Sequence, residues 1–79
     1  MAKTNKSQLL SVYDAHSNSI NNFHAAVGKR EKVEAIERLK RSGSALIEAL
    51  KQGVTKSALE YEHMAERLID TSTQLIERG

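Results

Sequence analysis

Along the first third of the chain the larger side chains fall at Leu9, Tyr13, His16, Ile20, Phe23 and Val27, alternately four and three positions apart. Residues three and four apart share one side of an α-helix, so this segment predicts an amphipathic helix with a heptad-like seam that contains a histidine. Asn5 or Ser7 can cap its start, while Ser17-Asn18-Ser19 and Asn21-Asn22 are poor helix formers in mid-segment. A helix of that composition depends on tertiary contacts.

A second stripe runs through Val33, Ile36, Leu39, Gly43, Leu46 and Leu50, widened by Ile47, in a phase different from the first. The change of phase predicts a turn or kink near Gly28; one long helix from Gln8 to Gln52 is the alternative. Ser42-Gly43-Ser44 has the composition of a linker, yet the apolar phase passes straight through it. Gly43 is therefore expected to be a small residue at a close helix contact rather than a hinge. Gln52-Gly53 supplies a C-terminal stop, and Ser57-Ala58-Leu59-Glu60 has the form of a capping box, with Thr55 as the competing cap. Tyr61, Met64, Ala65, Leu68, Ile69, Ser72, Leu75 and Ile76 then form a third apolar face. Helices are expected over about 7–27, 30–52 and 56–78, in one small domain spanning residues 1–79. No segment alternates as a strand would.

The fold class predicted is all-α, a helical hairpin or three-helix bundle of amphipathic helices. Leu, Ile, Val and Phe supply only 18 of 79 residues, and no cysteine is present to form a disulfide. A domain of this size buries only about 60–65% of its unfolded surface. With Tyr13 and His16 on the first stripe and Ser72 on the third, the core is expected to be shallow and to be completed by self-association or by a partner. Leu39, Leu46, Leu50, Leu68 and Leu75 are expected to hold the scaffold. The same shortage of apolar material argues against a substrate pocket and hence against an enzyme, and no cofactor is expected.

Charge alters this picture in one respect. Residues 1–41 hold eight Lys/Arg against four Asp/Glu, and residues 42–79 hold four against six. Lys29, Arg30, Lys32, Arg38, Lys40 and Arg41 form a basic cluster that can bind phosphates, which makes a nucleic-acid-associated dimer the alternative function. Interleaved Glu31, Glu34 and Glu37 offer the blander account, a solvated face with Glu34–Arg38 and Glu37–Arg41 pairs. Glu60-x-x-His63 has the spacing of half a di-iron site, but a lone copy is more economically an exposed histidine among glutamates, so no metal is expected. His16 is either a pH-sensitive interface residue or a polar member of a partly buried seam, and the second is the simpler reading. The start of the chain lacks a signal-peptide pattern and no stretch is apolar enough to span a bilayer, so a cytoplasmic protein with no membrane association is expected.

The function these features favour is a small helical protein–protein interaction module: an adaptor, co-chaperone, inhibitor or regulator. Leu9, Tyr13, His16, Ile20, Phe23 and Val27 would be its partner-binding seam, with Tyr13 and Phe23 as the aromatic anchors.

Overall fold

The computed structural model describes residues 2–78, so residues 1 and 79 lie outside the described part of the expected domain. Its regular elements are helical: α1 (Lys6–Ala25), α2 (Gly28–Lys51), a 3₁₀ turn (Lys56–Ala58) and α3 (Leu59–Arg78). They run up, down and up, forming an elongated three-helix bundle about 42 × 17 × 17 Å across its Cα atoms. The all-α bundle predicted from periodicity is the fold observed.

Each helix end has a local cause. Asn5 caps α1 by accepting from the Gln8 amide at 2.8 Å, and the Gln8 side chain accepts from the Asn5 amide at 3.1 Å, a reciprocal box that satisfies two free donors. The first helix stops at Ala25 because Ala26 and Val27 are extended, so the single long helix is excluded. Gly28, at a φ of 85°, then turns the chain, and the Glu31 carboxylate accepts from the Val27 amide at 2.8 Å, closing the start of α2. Gly53, at a φ of 84°, ends α2 as expected. The Ser57–Glu60 capping box does not form. Thr55 instead bonds the Ser57 hydroxyl at 3.0 Å, and a 3₁₀ turn leads into α3.

A short tie not evident from periodicity joins the segment before α1 to the connection between α2 and α3. Thr4 pairs with Val54 as an isolated parallel bridge, donating to Gly53 and accepting from Thr55 at 2.8 and 3.0 Å. Its buried hydroxyl donates to the Ala49 carbonyl at 2.7 Å. Lys6 lies 5.4 Å from the centre of the Tyr61 ring, a cation–π contact between the starts of α1 and α3.

The core at this end is Leu9, Leu46, Val54, Ala58 and Ala65, flanked by half-buried Val12, Tyr13, Leu50, Tyr61, Leu68 and Ile69. Leu9, Leu39 and Leu46 are fully buried and each contributes about 1.5–3 kcal/mol by leaving water. Much of the rest is alanine, so the core is thin, as the composition implied. Because the Thr4 hydroxyl is buried and paired, Thr4→Val is expected to cost about 1 kcal/mol by leaving the Ala49 carbonyl, which the Gly53 amide passes over for Leu50, without its hydroxyl partner. Urea unfolding compared with Ser7→Ala, an exposed control, measures this.

Candidate functional site: a buried histidine cluster beneath an open groove

Halfway along the bundle the three apolar stripes are interrupted by one polar or minimal side chain each, and these meet. His16 of α1 is fully buried. Its Nδ1 lies 2.7 Å from the Ser42 Oγ of α2, and its Nε2 lies 2.7 Å from the Ser72 Oγ of α3. Gly43 gives the ring its space: a Cβ at that position would sit 3.2 Å from His16 Cε1. The expectation that Gly43 is packed rather than hinged therefore holds, and the partner it packs against is the histidine.

Burial pushes the His16 pKa below its ordinary value, because the imidazolium would lose its hydration. The ring is accordingly neutral near pH 7. Ser42 also contacts the Arg38 carbonyl at 2.9 Å and the Leu39 carbonyl at 3.3 Å, and Ser72 the Ile69 carbonyl at 2.9 Å. A neutral ring and two hydroxyls bring three protons, so one hydroxyl must turn from its carbonyl to donate to the ring. Ser42 has two carbonyls to choose from, which favours Nδ1–H donating to Ser42 and Ser72 donating to Nε2.

Ser72, His16 and Ser42 reproduce the nucleophile–base–orienter spacing of an acyl-transfer triad. They lack its other half: Ser42 and Ser72 lie inside regular helices whose amides are engaged in helix bonds, leaving no donors for an oxyanion beside Ser72. What this cluster does chemically is hold three helices in one register.

Directly above it a groove of about 300 Å³ opens between α2 and α3. Leu39, Gly43 and Ser72 form its floor, and Ile47, Ile69 and Ile76 its walls, with Lys40 and Ser44 on the α2 side and Thr73 on the α3 side. Ile47 is 40% exposed and Val33, two turns before Lys40 on the same side of α2, is 58% exposed. The two rims differ in charge. Continuing the groove-lining positions by helical spacing adds Lys51 to the α2 edge and Glu62, Glu66 and Glu77 to the α3 edge.

The expected partner-binding seam is only partly available. Leu9, His16 and Ile20 are interior side chains of this chain's own bundle, so they present no docking face. Tyr13 and Phe23 are half-buried; Tyr13 packs on the core and Phe23 meets His24 edge-on at 6.0 Å. Val27 is 78% exposed in the α1–α2 turn. The seam was read correctly as apolar, but the hairpin itself supplies the surface that covers it.

The basic cluster is dispersed by the helix. Lys40 lines the α2–α3 groove while Arg38 lines a small recess against Asn22 and Ala26 of the α1 side. At one hundred degrees per residue Lys29 shares the side of Lys40, Arg30 and Arg41 share another side with Glu34 and Glu37, and Lys32 lies apart from both. Among the described residues no Lys or Arg nitrogen lies within salt-bridge distance of a carboxylate, so the Glu34–Arg38 and Glu37–Arg41 pairs are absent; the ion pair observed is His63–Glu66 at 3.9 Å, on the surface. Glu60 and His63 do not form part of a cluster of three or more metal-ligating side chains among the described residues. Among the same residues no helix is long and apolar enough to cross a membrane. Comparison with protein-family models, with curated proteins and with solved structures finds no match to this chain.

The histidine cluster makes two outcomes measurable. A group whose folded pKa is depressed contributes stability that is complete above the unfolded pKa, about 6.5, and is lost as pH falls below it. Unfolding free energy is therefore expected to decline from pH 6.5 downward by at most about 1.4 kcal/mol per pH unit from this residue, and His16→Leu removes that component. Ser72→Ala leaves Nε2 without a partner and is expected to cost about 1–3 kcal/mol at pH 7. In the His16→Leu background the same change costs less, so the two are non-additive in denaturant melts.

Proposed function

We propose that the chain is a small helical interaction module that binds another protein's helix in the groove between α2 and α3. The observation that carries this reading is the groove itself: exposed Ile47 and half-buried Ile69 and Ile76 wall an opening between α2 and α3 whose floor is Leu39, Gly43 and Ser72. An apolar groove between two neighbouring helices is a usual receptor for an amphipathic helix, whose own apolar face would complete the shallow core. The rims, basic on one side and acidic on the other, favour a helix that carries charges of both signs and fix its direction more than its affinity. This moves the docking surface from the α1 seam to the α2–α3 face. The dispersal of the basic residues around α2, and the glutamates among them, weigh against nucleic acid as the ligand.

A photo-cross-linking residue placed at Ser44, inside the groove, is expected to capture a polypeptide in cells. The same group at Ala45, which is turned from the groove and lies beside Gln8 and Val12 of α1, is expected to capture none. The captured segment, once identified and purified, is expected to bind the wild-type chain in calorimetry and to bind Ile47→Glu at least about tenfold more weakly, a loss of about 1.4 kcal/mol, with helix content unchanged. Absence of a protein adduct from Ser44 overturns the reading.

A further inference from the structure

The charges that rim the groove also specify one occupant. Lys40 and Lys51 stand on the α2 edge, and Glu62, Glu66 and Glu77 on the α3 edge, and no cation of one edge reaches a carboxylate of the other within the chain. A face with one basic and one acidic edge is complementary to itself under one kind of two-fold rotation and repels itself under another. With the axis parallel to the helices, each copy's α2 lies over its partner's α3, and basic edge meets acidic edge. With the axis across the helices, α2 lies over α2 and lysines face lysines.

Resting on the reading that the α2–α3 face is a protein-docking surface, we propose that its occupant is a second copy of this chain, related by a two-fold axis parallel to the helices, so that α2 and α3 of the two copies form a four-helix antiparallel layer.

Axial positions support the pairing. Gly43 and Ser72 lie at one level, both against His16, and a helix rises about 1.5 Å per residue. Counting outward from that level, Lys51 falls between the partner's Glu62 and the partner's Glu66, and Lys40 within about one residue pair of the partner's Glu77. A rotation about an axis parallel to the helices keeps these levels unchanged, so both matches occur twice. Ile47, Ile69 and Ile76 of each copy then meet over the groove floors. Helix packing at about 20°, the arrangement of antiparallel bundles, fits ridges of this size into such grooves.

The size of the face sets the strength. The α3 helix, with 20 residues, is about 30 Å long, and the bundle is 17 Å across. A patch of those dimensions is on the order of 500 Å² per copy, or about 1,000 Å² in all, the lower bound for a specific interface. The dimer is accordingly expected to dissociate in the micromolar range, about 1–100 μM, rather than to be permanent.

Light scattering behind a sizing column, with the full chain loaded from about 1 μM to 1 mM, reads the result; that range brackets the expected dissociation constant. The wild-type mass is expected to rise from 8.8 kDa towards twice that value. Lys40→Glu with Lys51→Glu makes both edges acidic and is expected to raise the dissociation constant at least about tenfold. Adding Glu62→Lys, Glu66→Lys and Glu77→Lys to that variant exchanges the two edges and is expected to restore it. Arg67→Glu, on the side of α3 away from the groove, is expected to change it less than about threefold. Circular dichroism of each variant confirms that the helices remain. A wild-type chain that stays monomeric to 1 mM overturns the second copy as occupant; adduct formation with a different protein from Ser44 then shows that the docking reading stands, and its absence that both fail. A dimer that the two lysine changes leave intact, or that the full edge exchange fails to restore, overturns the α2-over-α3 geometry.

Discussion

Everything at the centre of this bundle depends on burying one neutral imidazole with both nitrogens paired. A ring without those partners would carry a desolvation cost comparable with a large part of the stability of so small a domain. Ser42 and Ser72 remove that cost, one from each of the other helices, at 2.7 Å apiece. Hydrogen bonds are directional where apolar contacts are not, so α2 and α3 are held to α1 at one level and not a turn away. Gly43 completes the arrangement by leaving space for the ring. Leucine and alanine supply the driving force; the histidine selects the register in which it acts.

The same cluster shapes the surface above it. Glycine and serine on the floor leave α2 and α3 with nothing tall between them, while Ile47, Ile69 and Ile76 rise on either side, and a groove results. A monomer that closed this groove would need larger floor residues, which would collide with His16. Polar specificity inside therefore leaves apolar surface outside, and the proposed docking face is the other side of the device that fixes the register. Among the described residues no lysine that flanks the groove reaches one of its glutamates.

Most of the secondary structure was legible because periodicity records which residues must leave water. The three stripes, the break near Gly28, the stop at Gly53 and the packed Gly43 all follow from spacing and from the few residues that tolerate special backbone angles. The Ser57–Glu60 box was misread because a capping pattern competes with the turn that the preceding Thr55 sets up. The Thr4–Val54 tie escaped notice because a single bridge has no period. The cover of the α1 seam was not legible for a different reason: an apolar seam on a helix says that something covers it, and does not say whether the cover belongs to the same chain. Leu9 and Ile20 are covered by α2 and α3, while Ile47, on a less conspicuous edge, is not.

By itself, then, the sequence determined the number of helices, their apolar faces and the thinness of the core, since these depend on local spacing and on composition. It also contained the polar interruptions His16, Ser42-Gly43 and Ser72, each visible as an oddity on its own stripe. Only the tertiary structure decided that these oddities coincide, because their meeting depends on turn geometry and on the level at which antiparallel helices come to rest. The tertiary structure likewise decided what each side of α2 faces, Lys40 lining the groove with α3 and Arg38 the recess beside α1. Position along the chain fixes angle about one helix; which angle faces another helix, and which faces water, is settled only when all three pack.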